Sequence, residues 1–132
     1  MEQAAQKQAA APATITLPEL AEGEKYAGFL LDGSGAPTHH VVLLAGDSKP
    51  IAWKKALEFA TKQGGELPTR REQSLLFANC KAEFEEDWYW SGEQPAELAD
   101  CAWFQNFGDG YQYWDDVSNR CRARAVRRVS IQ

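Results

Sequence analysis

Ten of the chain's fifteen aromatic residues lie between Phe84 and Trp114: Phe84, Trp88, Tyr89, Trp90, Trp103, Phe104, Phe107, Tyr111, Tyr113 and Trp114. The stretch from Ala82 to Asp116 also holds ten carboxylates and no Lys, Arg or His. One short segment cannot send so many rings into a core. Some must line a surface, and exposed Tyr and Trp are what binding surfaces use. The charge then reverses, with Arg120, Arg122, Arg124, Arg127 and Arg128 within nine residues. The simplest reading of these arginines is that they pair with the preceding carboxylates or solvate a strand.

A length of 132 residues suits one domain with a single core. The net charge of −5 argues against a dedicated nucleic-acid binder, which would carry a basic surface. No apolar run approaches the roughly twenty residues that a membrane span needs. The N-terminal MEQAAQKQAAAPAT has an acid at Glu2, a lone Lys7 and no apolar centre, unlike a secretory signal. The expectation is a protein made and kept in the cytoplasm, unless it leaves within a larger particle. Cys80, Cys101 and Cys121 are an odd number with no C-x-x-C spacing, so buried free thiols are expected. No metal site and no cofactor are expected.

Residues 1–16 are rich in Ala and Gln and read as a flexible arm, ahead of a domain over residues 17–132. Tyr26–Leu31 and Thr38–Leu44 flank a Gly-containing turn and read as a hairpin. Adjacent strand residues face opposite ways, so His39 and His40 are not expected to share a ligand. Trp53, Ala56, Leu57 and Ala60 recur at i, i+3, i+4 and i+7, which marks a helix that Gly64-Gly65 ends. Thr69 and Glu72 fit a capping box. The second helix is expected to run to about Glu85, with Leu75, Leu76, Cys80 and Phe84 as its apolar side. After Asp87 the pattern gives short strands at Trp88–Ser91, Ala102–Phe107, Tyr111–Trp114 and Arg122–Val129. The order predicts an α+β domain: an N-terminal hairpin, two helices, and a small antiparallel sheet with long loops. Trp88, Trp90, Trp103 and Phe107 are assigned to the core.

Four segments carry a resemblance: Gly64-Gly65-Glu66-Leu67-Pro68-Thr69-Arg70, Trp88-Tyr89-Trp90-Ser91, Ala102-Trp103-Phe104-Gln105-Asn106-Phe107-Gly108, and Arg122-Ala123-Arg124-Ala125-Val126-Arg127. In this order they resemble small phage and prophage domains of unknown function. That group looks like the C-type-lectin-like fold, in the branch with formylglycine-generating enzyme and the phage tropism determinants. The resemblance covers about residues 24–131. It implies an exposed ligand-binding face built from the late loops and strands. Its candidate binding residues are Phe104, Asn106, Asp109, Tyr111, Tyr113, Trp114, Asp116 and Asn119. Tyr and Trp give contact area at low entropic cost, and Asn and Asp add directional hydrogen bonds. The motifs of calcium-dependent lectins are missing. Glu93-Gln94-Pro95-Ala96 lacks the carboxamide or carboxylate that would follow the proline.

Formylglycine-generating enzymes are similar in fold and use a cysteine pair. Cys101 and Cys121 lie in the corresponding half, and Cys121 sits between Arg120 and Arg122, a setting that favours thiolate. The ligand-bearing loops of those larger enzymes have no room here, so no catalytic residue is expected. The expected function is a non-catalytic phage or prophage recognition module, associated with the virion or tail. Its aromatic, acidic C-terminal face would bind a protein or a cell-surface glycan. The arm would contact other virion subunits, and a homo-oligomer is compatible with this reading. An intracellular inhibitor of a host protein, acting through the acidic face, and a structural decoration protein are the alternatives.

Overall fold

Gly65 shows how the halves of the chain meet: a Cβ at this position would lie 2.2 Å from Val126 O. The close approach allows a two-way bridge, with Glu66 N–H donating to Val126 O at 2.9 Å and Val126 N–H donating to Glu66 O at 2.8 Å. The computed structural model describes residues 14–131. All but the last three positions of the arm expected over residues 1–16 lie outside the described residues.

The elements are β1 (Lys25–Leu31), β2 (Pro37–Leu43), α1 (Trp53–Lys62), α2 (Arg70–Cys80), β3 (Trp88–Trp90), β4 (Cys101–Asn106), β5 (Gln112–Asp116) and β6 (Val126–Ser130). They form a small α+β domain with two three-stranded antiparallel sheets, ordered β1-β2-β6 and β3-β4-β5. The hairpin turn is held by Asp32, whose Oδ1 accepts from Ser34 N–H, Ser34 Oγ–H and Ala36 N–H. Helix α1 ends in a Schellman motif. Gly64, at φ 92°, donates to Thr61 O and Gly65 donates to Ala60 O.

The capping box of α2 forms as the sequence predicts. Thr69 Oγ1 accepts from Glu72 N–H at 3.1 Å, and Glu72 Oε1 accepts from Thr69 N–H at 2.9 Å. Three other expectations change. Helix α2 stops at Cys80, and Lys81–Glu83 form a single 3-10 turn. Arg124 Nη1–H donates to Glu83 O, and Phe84 turns inward to stack on Phe107 with centroids 3.9 Å apart. The inner side of α2 keeps its expected apolar residues, with Leu75, Leu76 and Cys80 packed in the core, but also encloses the polar Glu72 and Gln73. Leu57 is exposed although it shares the apolar spacing of α1.

The last strand begins at Val126, not Arg122, and joins the first sheet beside β2. The preceding residues run along the seam between the sheets. Cys121 bridges to Ile51, and Arg122 exchanges backbone bonds with Trp88 and Trp90. Ala123 and Ala125 are fully enclosed there, because only small side chains fit between the layers. The core has two parts. Trp90 centres one with Leu44, Ala56, Ala60 and Leu67, and Tyr89 and Phe107 centre the other with Val41, Leu43 and Leu76.

The arginines act mainly as ties. Arg122 pairs with Asp87 at 3.0 Å, Arg127 with Glu24 at 2.9 Å, and Arg128 with Glu72 at 2.7 Å and with Glu66. Of these carboxylates only Asp87 belongs to the acidic stretch. Arg124 holds backbone carbonyls, with Nη2–H donating to Leu44 O at 2.7 Å.

Glu72 has no exposed side-chain surface. Burial opposes its ionisation, but hydrogen bonds from Arg128, Thr69 N–H and His39 outweigh that cost and lower its pKa to about 2. A folded-state pKa below the unfolded value means stability present above pH 4.5 and lost as pH falls toward 2. Glu72→Gln should lower unfolding free energy by about 3 kcal/mol in urea at neutral pH, since it leaves Arg128 without its buried partner. The gap between wild type and variant should close over that acid window.

Candidate functional site

Strand β5 lies at the edge of the second sheet and, with Tyr111 just before it, carries the exposed rings. Tyr111, Tyr113 and Trp114 are 57%, 46% and 37% exposed. They stack in succession: Tyr111 to Tyr113 at 6.0 Å and Tyr113 to Trp114 at 5.1 Å, both near-parallel. Trp114 meets Trp103 edge-on at 4.8 Å, and the Arg70 guanidinium lies 3.4 Å from the Trp103 ring centroid. Cross-strand register explains the arrangement. Trp103 faces Trp114 and Phe104 faces Tyr113, so the two pairs lie on opposite faces of the sheet. The ladder from Arg70 to Tyr111 therefore wraps around the β5 edge.

Beside Tyr113 lies a cleft of about 330 Å³, lined by Trp88, Phe104, Tyr113, Asp115, Asn119, Arg120 and Cys121. Trp88 and Phe104 pack edge to face at 4.8 Å within it. Asn119 Nδ2–H donates to Asp115 Oδ2 at 2.7 Å, which fixes the carboxylate at the rim.

The eight sequence-predicted residues divide into three groups. Tyr111, Tyr113 and Trp114 form the exposed ladder. Asp109, Asp116 and Asn119 are exposed but occupied by turn geometry. Asp109 Oδ1 accepts from Tyr111 N–H, and Asp116 Oδ1 accepts from Ser118 N–H and Oγ–H. Phe104 and Asn106 are scaffold. Phe104 is only 7% exposed and lies in the Trp90 core, offering an edge to the cleft. Asn106 Oδ1 accepts from Gly108 N–H at 2.7 Å and holds the β4–β5 turn. Phe104 is a correction: alternation separated it from Trp103, and Trp103 was assigned to the core. Both faces of β4 are covered, one by α2 through Arg70 and Gln73, the other by residues 115–121.

Sequence reasoning missed Arg70, Trp88, Trp103, Asp115 and Arg120 as neighbours of the ladder. Only Trp103 left a local signal, since it shares a strand face with the polar Gln105.

All three cysteines are free. Cys121 is enclosed despite its flanking arginines. Burial, then Asp87 and Asp115, push its thiol up to about 12, opposite to the activation expected from Arg120 and Arg122. The Cys101 thiol is also raised, by desolvation first and then by Asp116, Asp115 and Asp100. Among the described residues no three His, Cys, Asp or Glu side chains gather as a metal site. No helix among them is long and apolar enough to cross a membrane.

No protein-family model matches the chain, and no curated protein matches its sequence.

Truncation should separate scaffold from surface. Phe104→Ala should cost about 3–5 kcal/mol of unfolding free energy. Tyr111→Ala should stay within about 0.5 kcal/mol of wild type in the same denaturation assay. Alkylation of the native protein, followed by peptide mass mapping, should label Cys101 first and leave Cys121 protected until unfolding.

Proposed function

We propose that this protein is a non-catalytic recognition module that binds through the aromatic ladder on β5. One observation carries the reading: Tyr111, Tyr113 and Trp114 are exposed, consecutive in space and braced from behind by Trp103 and Arg70. A rigid aromatic row loses little entropy on docking, and buried Tyr and Trp anchors supply most of the energy in interfaces. The raised thiols are poor nucleophiles, which favours binding over thiol catalysis.

The order of hairpin, two helices and late strands agrees with the C-type-lectin-like resemblance. That resemblance is the support for placing the module in a phage or prophage particle, with a protein or surface glycan as its ligand. Mass spectrometry of purified particles tests the placement: high copy number supports it, and absence from particles with abundance in infected cells rejects it.

The acidic residues around the ladder favour a second reading, an intracellular inhibitor that offers its negative face to a basic host protein. Salt separates the two. An acidic mimic should lose affinity steeply as ionic strength rises, whereas packed aromatic anchors should keep most of theirs. A Tyr111→Ala/Tyr113→Ala/Trp114→Ala variant should remain folded, with a melting temperature lowered by the lost contacts to Trp103 and Phe104, and should lose at least about a hundredfold in affinity for its ligand. Unchanged retention of wild-type ligands on a glycan array and in pull-down would reject the ladder as the site.

A further inference from the structure

The outer edge of β5 offers unpaired backbone groups. Asn106 N–H donates to Tyr111 O at 2.8 Å, and Val117 N–H donates to Asp100 O at 2.8 Å. With the register Phe104 to Tyr113 and Ala102 to Asp115, these bonds fix the alternation. Tyr113 and Asp115 turn their backbone groups toward β4, and Gln112 and Trp114 turn theirs away. Asp116 N–H is already taken by the Asp115 carboxylate, and Asp116 O accepts from Asn119 N–H. The open donors and acceptors are therefore those of Gln112 and Trp114, to which no described residue bonds.

Edge strands are usually blunted by bulges, Lys, Pro or a covering element. Strand β1 starts at Lys25 and has register shifts against β2, and β6 carries the ion-paired Arg127 and Arg128. Strand β3 meets Arg122 through a parallel bridge. Strand β5, with the sequence QYWDD, has no Lys or Pro and keeps an unbroken register with β4.

We propose that β5 binds an extended basic peptide as a fourth strand of this sheet, with a Lys or Arg side chain of the guest entering the cleft beside Tyr113. The inference rests on the reading of the ladder as a recognition surface and specifies what that surface takes. An added strand parts the Tyr113 and Trp114 rings that meet around the edge, bonds to Gln112 and Trp114 through its backbone, and sends alternate side chains to the two sheet faces. On one face they meet Trp114. On the other they meet the cleft, where Trp88, Phe104 and Tyr113 offer rings to an aliphatic stem and Asp115 offers a carboxylate to its charged end.

Charge selects the guest. Asp100, Asp109, Asp115 and Asp116 surround the strand, and the first, third and fourth of these are close enough to raise the Cys101 thiol after the effect of desolvation. A second copy of β5 would bring its own Asp115 and Asp116 to the same edge, so self-pairing is disfavoured. Among the described residues, Arg120, exposed and lining the cleft, is the one cation there that opposes the guest.

The test uses the full chain and an octapeptide of alternating lysine and valine, with a glutamate-for-lysine version and a backbone N-methylated version. Isotope-labelled protein reports binding through amide shifts. The expected result is saturable binding of the lysine peptide, with the largest shifts and slowed amide exchange at Gln112 and Trp114. N-methylation of the edge-facing residues, or glutamate for lysine, should each weaken binding by at least roughly tenfold. Arg120→Ala should tighten it.

Equal binding of the N-methylated peptide overturns strand addition while leaving the ladder as a surface site. Tighter binding of the glutamate peptide overturns the charge assignment. No binding of any version overturns the inference. The ladder reading fails separately, only if the triple alanine variant keeps the protein's own ligands.

Discussion

The buried carboxylate of Glu72 is the interaction on which the rest of the arrangement depends. It caps α2, accepts two hydrogen bonds from Arg128 of β6 and meets His39 of β2 at 2.7 Å. One side chain thus ties the start of a helix to two strands of the first sheet. The next residue, Gln73, does the same for the second sheet: its Nε2–H donates to Tyr89 O, and its backbone O accepts from Gln105 Nε2–H. Apolar contact alone is indifferent to small slides between layers. A buried polar network with fixed geometry is not, and here it sets where α2 lies between the sheets.

That placement bears on the candidate site. Arg70, the first residue of α2, stacks on Trp103, and Gln112 donates through Nε2 to Arg70 O at 2.8 Å. The helix start is therefore fastened directly behind the β5 edge. Trp103 supports Trp114, and the row of rings extends outward from a rigid base. In the proposed reading, a surface built this way presents its anchors already ordered and avoids the entropy cost of organising loops.

Much of the local structure was legible in the chain. The hairpin, both helices, the capping box, the glycine stop and the three short late strands follow from period, caps and turn residues. The exposure of Tyr111, Tyr113 and Trp114 was also expected. The split into two sheets was not, because the run from Arg122 to Val129 alternates like a single strand. Its first part is instead a connector between layers, where Ala123 and Ala125 fit by being small. Phe104 and Trp103 exchanged roles for a similar reason. Alternation assigns residues to faces, but it does not say which face is covered more deeply.

By itself the sequence determined element types, their order, and the concentration of rings and carboxylates in one segment, because these depend on neighbours within a few residues. The tertiary structure alone decided that Phe104 is enclosed while Trp103 backs the ladder, and which strand lies at an edge. It also reversed the environment of Cys121: flanking arginines favour thiolate in the sequence, whereas burial and carboxylates distant in the chain raise the thiol in the fold. Burial, field and edge exposure are set by residues far apart in sequence, such as Glu72 with Arg128 and Arg70 with Trp103. Local pattern carries no record of those encounters.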